Sequence, residues 1–128
     1  MLIVDDESNV ARTLQMVFER EGFEVRTAFS CAEALKVLSA KPPLDVVITD
    51  LNMEREDIGL EVARAAQKLR KRPVVVVCTR YANPSNAQQA LDMQVDYLAT
   101  KPADLSELLS ALKRLLALRR DLPRGAAQ

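Results

Sequence analysis

Histidine and tryptophan are absent from this 128-residue chain, which also contains only three glycines and two cysteines. Without histidine there is no Ser-His-Asp triad, no Cys-His nucleophile pair and no histidine-ligated metal site. Gly22, Gly59 and Gly125 are too scattered to form a G-x-G-x-x-G or P-loop phosphate cradle. Several large classes of enzyme and nucleotide-binding protein are therefore excluded.

Long hydrophobic runs and a net charge are also missing. The longest apolar run, residues 74–78, is far shorter than the roughly 20 residues that span a bilayer. The N-terminal residues lack the features of a signal peptide, and two cysteines distant in sequence do not form a disulfide framework. With 18 basic and 18 acidic residues, nothing favours direct binding to nucleic acid or to a membrane. We expect a cytoplasmic, reducing setting.

The residues that are present favour one domain with a real core, since 48% of them are apolar. Apolar runs predict strands at residues 2–4, 23–29, 44–49, 74–77 and 95–100. The segments between them carry apolar residues at helical spacing, and we expect Ser8 or Asn9 to cap the first helix and Asp104 the last. This alternation predicts an α/β protein with a doubly wound parallel sheet covered on both faces.

Distinctive polar residues follow three of the predicted strands. Asp5 and Asp6 follow the first, Asp50 ends the third and Lys101 follows the fifth. Ligands of doubly wound sheets bind at the carboxyl ends of the strands, so the aspartates converge if the first and third strands are neighbours. A hard divalent cation such as Mg²⁺ or Mn²⁺ would relieve their repulsion. Each residue alone is equally consistent with a helix cap, a turn or a solvated lysine, whereas their joint placement favours a site.

The segments around these residues resemble the receiver domain of two-component response regulators. The matching motifs are LIVDDE at residues 2–7, VVITDLNM at 46–53 and TKP at 100–102. The resemblance covers residues 1–119, which we expect to form the receiver domain, with 120–128 a tail or the start of a linker. It implies a (βα)5 flavodoxin-like fold with strand order 2-1-3-4-5.

The resemblance also implies a role for each matching residue. Asp50 would accept a phosphoryl group from a phosphohistidine on a histidine kinase or phosphotransfer protein, and so switch contacts with a downstream protein or fused output domain. Asp6 and Asp50 would bind Mg²⁺ or Mn²⁺ directly, and Asp5 directly or through water. The backbone carbonyl of Asn52 would be a further ligand, and Lys101 would pair with a phosphoryl oxygen. The domain would be a signalling module that catalyses only its own phosphorylation and dephosphorylation.

Receiver domains carry a Ser or Thr hydroxyl at the end of the fourth strand, and two residues compete for that position here. Counting forward from Pro73 gives Cys78, whereas counting back from Lys101 gives Thr79. We favour Thr79, because a hydroxyl donates a much better hydrogen bond to a phosphoryl oxygen than a thiol does. Cys78 is then interpreted as a small buried apolar residue.

The sequence departs from the family pattern at several places near the expected site. The loop at residues 53–59 lacks the usual proline and has one extra residue, and Arg80 stands where a small residue is usual. Gln94 replaces an expected glycine. Leu98 occupies the aromatic switch position, with Tyr97 one residue earlier. These departures put the usual aromatic readout of phosphorylation in doubt.

The departures keep a second hypothesis open, a pseudo-receiver that mediates protein interactions without cycling phosphate. A small Mg²⁺-dependent phosphatase is disfavoured, since Asn52 stands where a second acidic residue would serve as acid and base. Leu115, Leu116 and Leu118 continue past the length needed to cover one sheet, which is consistent with a homodimer or with a connection to an output segment.

Overall fold

The computed structural model describes residues 1–40, 44–79, 84–100 and 104–121, with side chains to residue 119. The strands are β1 (Leu2–Val4), β2 (Arg26–Ala28), β3 (Val46–Asp50), β4 (Val74–Thr79) and β5 (Tyr97–Thr100). The helices are α1 (Ser8–Arg20), α2 (Cys31–Ser39), α3 (Ile58–Gln67), α4 (Pro84–Asp92) and α5 (Leu105–Asp121). No helix in these described ranges is long and apolar enough to cross a membrane.

The sheet is parallel throughout, with the order β2-β1-β3-β4-β5. The chain proceeds from β1 to β2 on one side, then crosses back to build β3, β4 and β5 on the other. The order therefore reverses between β1 and β3, and doubly wound sheets have their ligand crevice at the carboxyl ends of two such strands. The doubly wound flavodoxin-like fold expected from the sequence is confirmed.

Side-chain alternation along the strands divides the core into two layers. Strand residues on one face pack with α2, α3 and α4, namely Leu2, Val4, Val47, Val75 and Val77. Strand residues on the other face pack with α1 and α5, namely Ile3, Val46, Ile48, Val74, Val76 and Cys78. Every residue of β4 is buried, as the run of valines predicted for a strand covered on both sides.

The ends of several elements differ from the predictions. Strand β2 is only three residues long, although residues 23–29 predicted a longer one. Neither Ser8 nor Asn9 caps α1, because the helix begins at Ser8 and the cap position falls on Glu7. Asp104 does cap α5 as expected, with its Oδ1 accepting a hydrogen bond from the Glu107 N–H at 3.2 Å.

Candidate functional site

Three carboxylates meet in the crevice at the carboxyl ends of β1 and β3. Asp5, Asp6 and Asp50 each place one carboxylate oxygen within 4.8 Å of the others, and we call them the acidic cluster. The strand register explains the meeting: Val4 pairs with Thr49, so the aspartates that follow come next on adjacent strands. The structure therefore brings together the three aspartates that the sequence singled out.

Asp5 is held in place by the turn that leads into α1. Its Oδ1 accepts a hydrogen bond from the Glu7 N–H at 2.9 Å, and its own N–H donates to the Ala28 carbonyl at 3.1 Å. Only 2% of Asp5 is exposed, whereas Asp6 lies at the surface. The cluster thus combines a fixed, buried carboxylate with one that is open to solvent.

The donor set of the acidic cluster fits a hard divalent cation. Its members are all carboxylate oxygens, which suit Mg²⁺ and Mn²⁺ and match poorly the softer ligands that zinc or copper prefers. Three like charges this close also repel one another, and a divalent cation would remove that repulsion. The residues present are therefore compatible with the cofactor that the sequence implied.

Gly59 shapes the site although it carries no functional group. A Cβ atom at this position would lie 1.9 Å from the carbonyl oxygen of Asp50. The Gly59 N–H donates to the Leu51 carbonyl at 2.8 Å, and the Leu51 N–H donates to the Cys78 carbonyl at 2.8 Å. Helix α3 thus begins in direct contact with the backbone of Asp50, and only glycine permits that approach. The sequence offered Gly59 merely as part of an altered loop.

The segment between β3 and α3, residues 51–57, is called the β3–α3 loop below. Within it, the Asn52 side chain accepts a hydrogen bond through Oδ1 from the Asp57 N–H at 2.8 Å. Asp57 has a left-handed backbone with φ of 62°, a conformation that aspartate tolerates better than most residues. The amide of Asn52 therefore shapes the loop, whereas a metal-binding role for its backbone carbonyl is what the resemblance to receiver domains implies.

Glu54 connects the β3–α3 loop to the start of α2. Its two carboxylate oxygens lie 3.1 and 3.3 Å from the Cys31 amide nitrogen, which donates to them. Burial raises the pKa of the Cys31 thiol above its ordinary value, and the negative charges of Glu61 and Glu54 raise it further. Nothing in the sequence pointed to Glu54, because its partner is 23 residues away along the chain.

The structure places Cys78 and Thr79 differently relative to Asp50. Cys78 is the register partner of Asp50, and it packs with Ile48 and Val76 on the α1 and α5 side of the sheet. Asp50 shares that side by alternation with Ile48. Thr79 is fully buried one residue further on, where alternation turns it to the opposite side.

The two candidates for the aromatic switch position also face opposite layers. Tyr97 packs on the α1 and α5 side, and its hydroxyl donates to Glu107 Oε1 at 3.4 Å. Burial and the neighbouring Glu107 carboxylate raise the pKa of the Tyr97 hydroxyl. Leu98 packs on the other side. Two other sequence candidates, Lys101 and Arg80, lie outside the described residues.

The fold and the site together define the class as doubly wound α/β proteins, with carboxylates at the point where the strand order reverses. Proteins of this architecture bind their ligands at that point. Within that class, the family model for the response regulator receiver domain matches residues 1–113. The chain belongs to this family of two-component signalling proteins, as the resemblance implied.

Curated relatives are a little over one-third identical to the chain over the residues that align. The acid tolerance regulatory protein ActR of Rhizobium meliloti is 38% identical over 88% of this chain and 57% of its own length. The regulatory protein AtoC of Escherichia coli is 36% identical over 92% of this chain and 25% of its own length. The chain thus spans only part of the relatives it matches.

Solved structures match over nearly the whole chain. A CheY-like receiver domain protein from Methanospirillum hungatei has a TM-score of 0.85 at 27% identity, covering 93% of this chain and 94% of that one. A response regulator from Burkholderia pseudomallei, described with a phosphorylated aspartic acid, a calcium ion and citrate, has a TM-score of 0.77 at 29% identity. It is matched over 93% of this chain and 69% of its own.

Proposed function

We propose that this domain accepts a phosphoryl group on Asp50 and acts as a phosphorylation-controlled switch. The observation that carries the proposal is the acidic cluster, whose oxygens lie within 4.8 Å at the carboxyl ends of neighbouring strands. A similar response regulator, that of Burkholderia pseudomallei, is described with a phosphorylated aspartic acid and a cation, which supports the same chemistry here.

In this proposal Asp50 is the nucleophile. A carboxylate oxygen of Asp50 attacks the phosphorus of a phosphohistidine on a partner protein, the P–N bond breaks with its electrons going to the imidazole, and an acyl phosphate forms. No general base is required, because a carboxylate has no proton to remove. Mg²⁺ or Mn²⁺, held by the acidic cluster and the Asn52 carbonyl, would neutralise charge on the phosphoryl oxygens when bound. We propose Lys101 as a second source of positive charge.

At the end of β4, the sequence favoured Thr79 as the residue beside the acyl phosphate, with Cys78 as the competing position. The register of β3 and β4 and the alternation of their side chains support Cys78 in that place, whereas Thr79 has the better donor chemistry. Replacing Cys78 with serine would then lengthen the lifetime of the acyl phosphate, and replacing Thr79 with valine would not shorten it. The opposite pair of results would assign the role to Thr79.

The partners follow from the class of protein. We propose a histidine kinase or phosphotransfer protein as the phosphoryl donor, and a downstream protein or a fused output domain as the recipient of the signal. A homodimer through the extended α5 is a further part of this proposal. Direct nucleic-acid binding and membrane binding are not expected of the domain, and we propose that it works in the cytoplasm.

The decisive experiment is incorporation of phosphate from acetyl phosphate, followed by intact mass with and without Mg²⁺. We expect one added phosphate in Mg²⁺, none in EDTA and none in Asp50→Asn. Asp45→Asn is a matched control, because Asp45 immediately precedes the same strand at its opposite end and is exposed. Phosphate retained by Asp50→Asn would overturn the assignment of the acceptor.

A second candidate, the pseudo-receiver, draws support from the thiol that lies beside Asp50 in the strand register. A domain of this kind would bind Mg²⁺ at the acidic cluster and take up no phosphate from acetyl phosphate or from a kinase. Because both candidates bind Mg²⁺, phosphate uptake separates them: a protein that binds Mg²⁺ in an NMR titration and takes up no phosphate is a pseudo-receiver.

A further inference from the structure

A contact between the β3–α3 loop and α2 lies outside the proposed phosphoryl-transfer chemistry. Glu54 reaches from the middle of the loop to the amide of Cys31, the first residue of α2, at 3.1 and 3.3 Å. Glu54 and the proposed metal ligand Asn52 are separated by a single residue. The fixed position of one therefore restricts the position of the other.

The start of α2 is organised to receive this carboxylate. Ser30 caps the helix by accepting from the Glu33 N–H at 3.1 Å, and Glu33 accepts in turn from the Phe29 N–H at 2.6 Å. The N–H of Cys31, the first residue of the helix, donates to Glu54. A carboxylate at a helix N-terminus gains both a charge-assisted hydrogen bond and a favourable interaction with the helix dipole.

The other end of the loop is fixed independently. Asn52 Oδ1 accepts from the Asp57 N–H at 2.8 Å, and Asp57 leads directly into α3. The loop is therefore attached to α3 at one end and to α2 in its middle, with Asn52 between the end of β3 and the Glu54 contact. Loss of the Glu54 contact would leave the Asn52 carbonyl free to move relative to the acidic cluster.

We propose that Glu54 is a positioning residue of the phosphoacceptor site, which fastens the β3–α3 loop to α2 and so holds the Asn52 carbonyl toward the cation. The proposal rests on the proposed function, because it assumes that the acidic cluster binds Mg²⁺. Glu54 acts only through Asn52 and has no contact with the phosphoryl group in this scheme.

The test compares Glu54→Ala and Glu54→Gln with Glu56→Ala. Glu56 is exposed in the same loop and makes no hydrogen bond or ion pair with any residue that the structure describes, so its alanine variant removes the same charge without the contact. For each variant, Mg²⁺ affinity is measured by NMR titration, the hydrogen exchange of the Cys31 amide is followed, and unfolding by urea reports global stability.

Loss of the contact should weaken Mg²⁺ binding by about tenfold in Glu54→Ala, the scale seen when an outer-shell support of a metal site is removed. The Mg²⁺ affinity of Glu56→Ala should stay within about twofold of that of the unmodified protein, because only one distant, screened charge is lost. The Mg²⁺ affinity of Glu54→Gln should lie between those of the two alanine variants, because its amide oxygen still accepts one hydrogen bond. Hydrogen exchange of the Cys31 amide should be slowest in Glu56→Ala, faster in Glu54→Gln and fastest in Glu54→Ala. A merely structural role would lower urea stability and leave the Mg²⁺ affinity unchanged.

The outcomes separate this inference from the proposed function. If the unmodified protein binds Mg²⁺ and takes up phosphate, and Glu54→Ala binds Mg²⁺ as tightly as Glu56→Ala, the positioning role is overturned and the function stands. If the unmodified protein does not bind Mg²⁺, both fall together. Weaker binding in Glu54→Ala with normal urea stability would establish the positioning role.

Discussion

The two edges of the sheet use charge in opposite ways. At the carboxyl edge, the acidic cluster places three like charges within 4.8 Å of one another. At the amino edge, where the strands begin, opposite charges pair across elements: Arg119 lies 3.4 Å from Asp96, and Lys113 lies 3.6 Å from Glu21. The pairs at the amino edge connect α5 to the rest of the fold, whereas like charges as close as those of the acidic cluster repel one another.

Asp96 shows how closely the amino edge is tied together. Its Oδ2 accepts from the Val75 N–H at 2.7 Å, and its own N–H donates to the Val75 carbonyl at 2.9 Å. Arg119 adds a hydrogen bond to the carbonyl of Arg72. One carboxylate therefore contacts strand β4 and helix α5 together, which stabilises the amino edge.

The contrast is tested most severely by the two described glycines, one at each edge. Gly59→Ala should lower the free energy of unfolding by about 3 kcal/mol or more, because the new methyl group meets the Asp50 carbonyl at 1.9 Å. Gly22→Ala should cost only about 1 kcal/mol, because φ there is +95° but no atom lies within 4 Å of a Cβ. Urea denaturation of both variants provides the measurement.

The order of these two losses is the critical result. Equal losses would mean that the close contact between α3 and Asp50 relaxes without cost, and the site would then be less rigidly built than its geometry indicates. A variant at residue 59 that fails to fold, beside a folded variant at residue 22, agrees with the expected order.

Removing a negative charge should have opposite effects on stability at the two edges. Asp96→Asn should destabilise the protein by about 1–2 kcal/mol, since it removes the charge that pairs with Arg119 and weakens the bond from Val75. Asp6→Asn should stabilise the Mg²⁺-free protein by about 0.5–1 kcal/mol, since it removes one of three repelling charges. Urea denaturation in EDTA makes the comparison.

Addition of Mg²⁺ supplies the control for that pair. The ion should stabilise the unmodified protein and Asp96→Asn alike, and stabilise Asp6→Asn less, because only the last has lost a ligand. Destabilisation by Asp6→Asn in EDTA would contradict the view that the cluster is under electrostatic strain.

Much of the fold could be predicted from the sequence because its signals are local. Four consecutive valines specify a strand buried on both faces, and Asp104 before a leucine-rich segment specifies a helix start. The ends of β2 were missed because apolar alternation at residues 23–29 continues beyond the three residues that actually pair with β1. Alternation reports which side is buried, and it does not report where backbone pairing stops.

The candidate site was predictable where its residues follow strands and unpredictable where they depend on register. Sequence spacing placed Asp5, Asp6 and Asp50 at one edge, and the structure brings them together. The sequence favoured Thr79 over Cys78 on donor chemistry alone, because counting from Pro73 and from Lys101 gave different residues, and it carried no information on the strand pairing that makes Cys78 the register partner of Asp50. Long-range contacts such as that of Glu54 leave no periodic signal at all.

A smaller effect is expected from pH at the start of α2. Burial, and then Glu61 and Glu54, raise the pKa of the Cys31 thiol above its ordinary value of 9.0. The folded protein therefore binds this proton more tightly than the unfolded chain, so the stabilisation is complete below pH 9 and is lost as the pH rises through the folded pKa. Unfolding free energies from pH 8 to 10 should fall more steeply in the unmodified protein than in Cys31→Ala.

The same thiol reports on Glu54. In Glu54→Gln, removal of one of the negative charges should lower the pKa of the Cys31 thiol and speed its alkylation at a fixed alkaline pH. Glu56→Ala should leave the alkylation rate closer to that of the unmodified protein. An unchanged rate in Glu54→Gln would show that the carboxylate has no electrostatic influence on Cys31 in solution.

The smallest effects on stability are expected from the exposed ion pairs. They test whether such pairs contribute to the stability of the amino edge. Arg55→Ala removes the pair with Glu61, in which both side chains are largely exposed, at 64% and 49%. Lys113→Ala removes the pair with Glu21 at the amino edge, in which the side chains are 61% and 39% exposed. Each should change the free energy of unfolding by about 0.5 kcal/mol or less, because solvent screens such charges and ordering two long side chains has an entropic cost.

A loss above about 1 kcal/mol at residue 113 alone would mean that exposed pairs also stabilise the amino edge. Small, equal losses would mean that the exposed pairs do not distinguish the two edges. The contrast would then come from Asp96 at one edge and from the acidic cluster at the other.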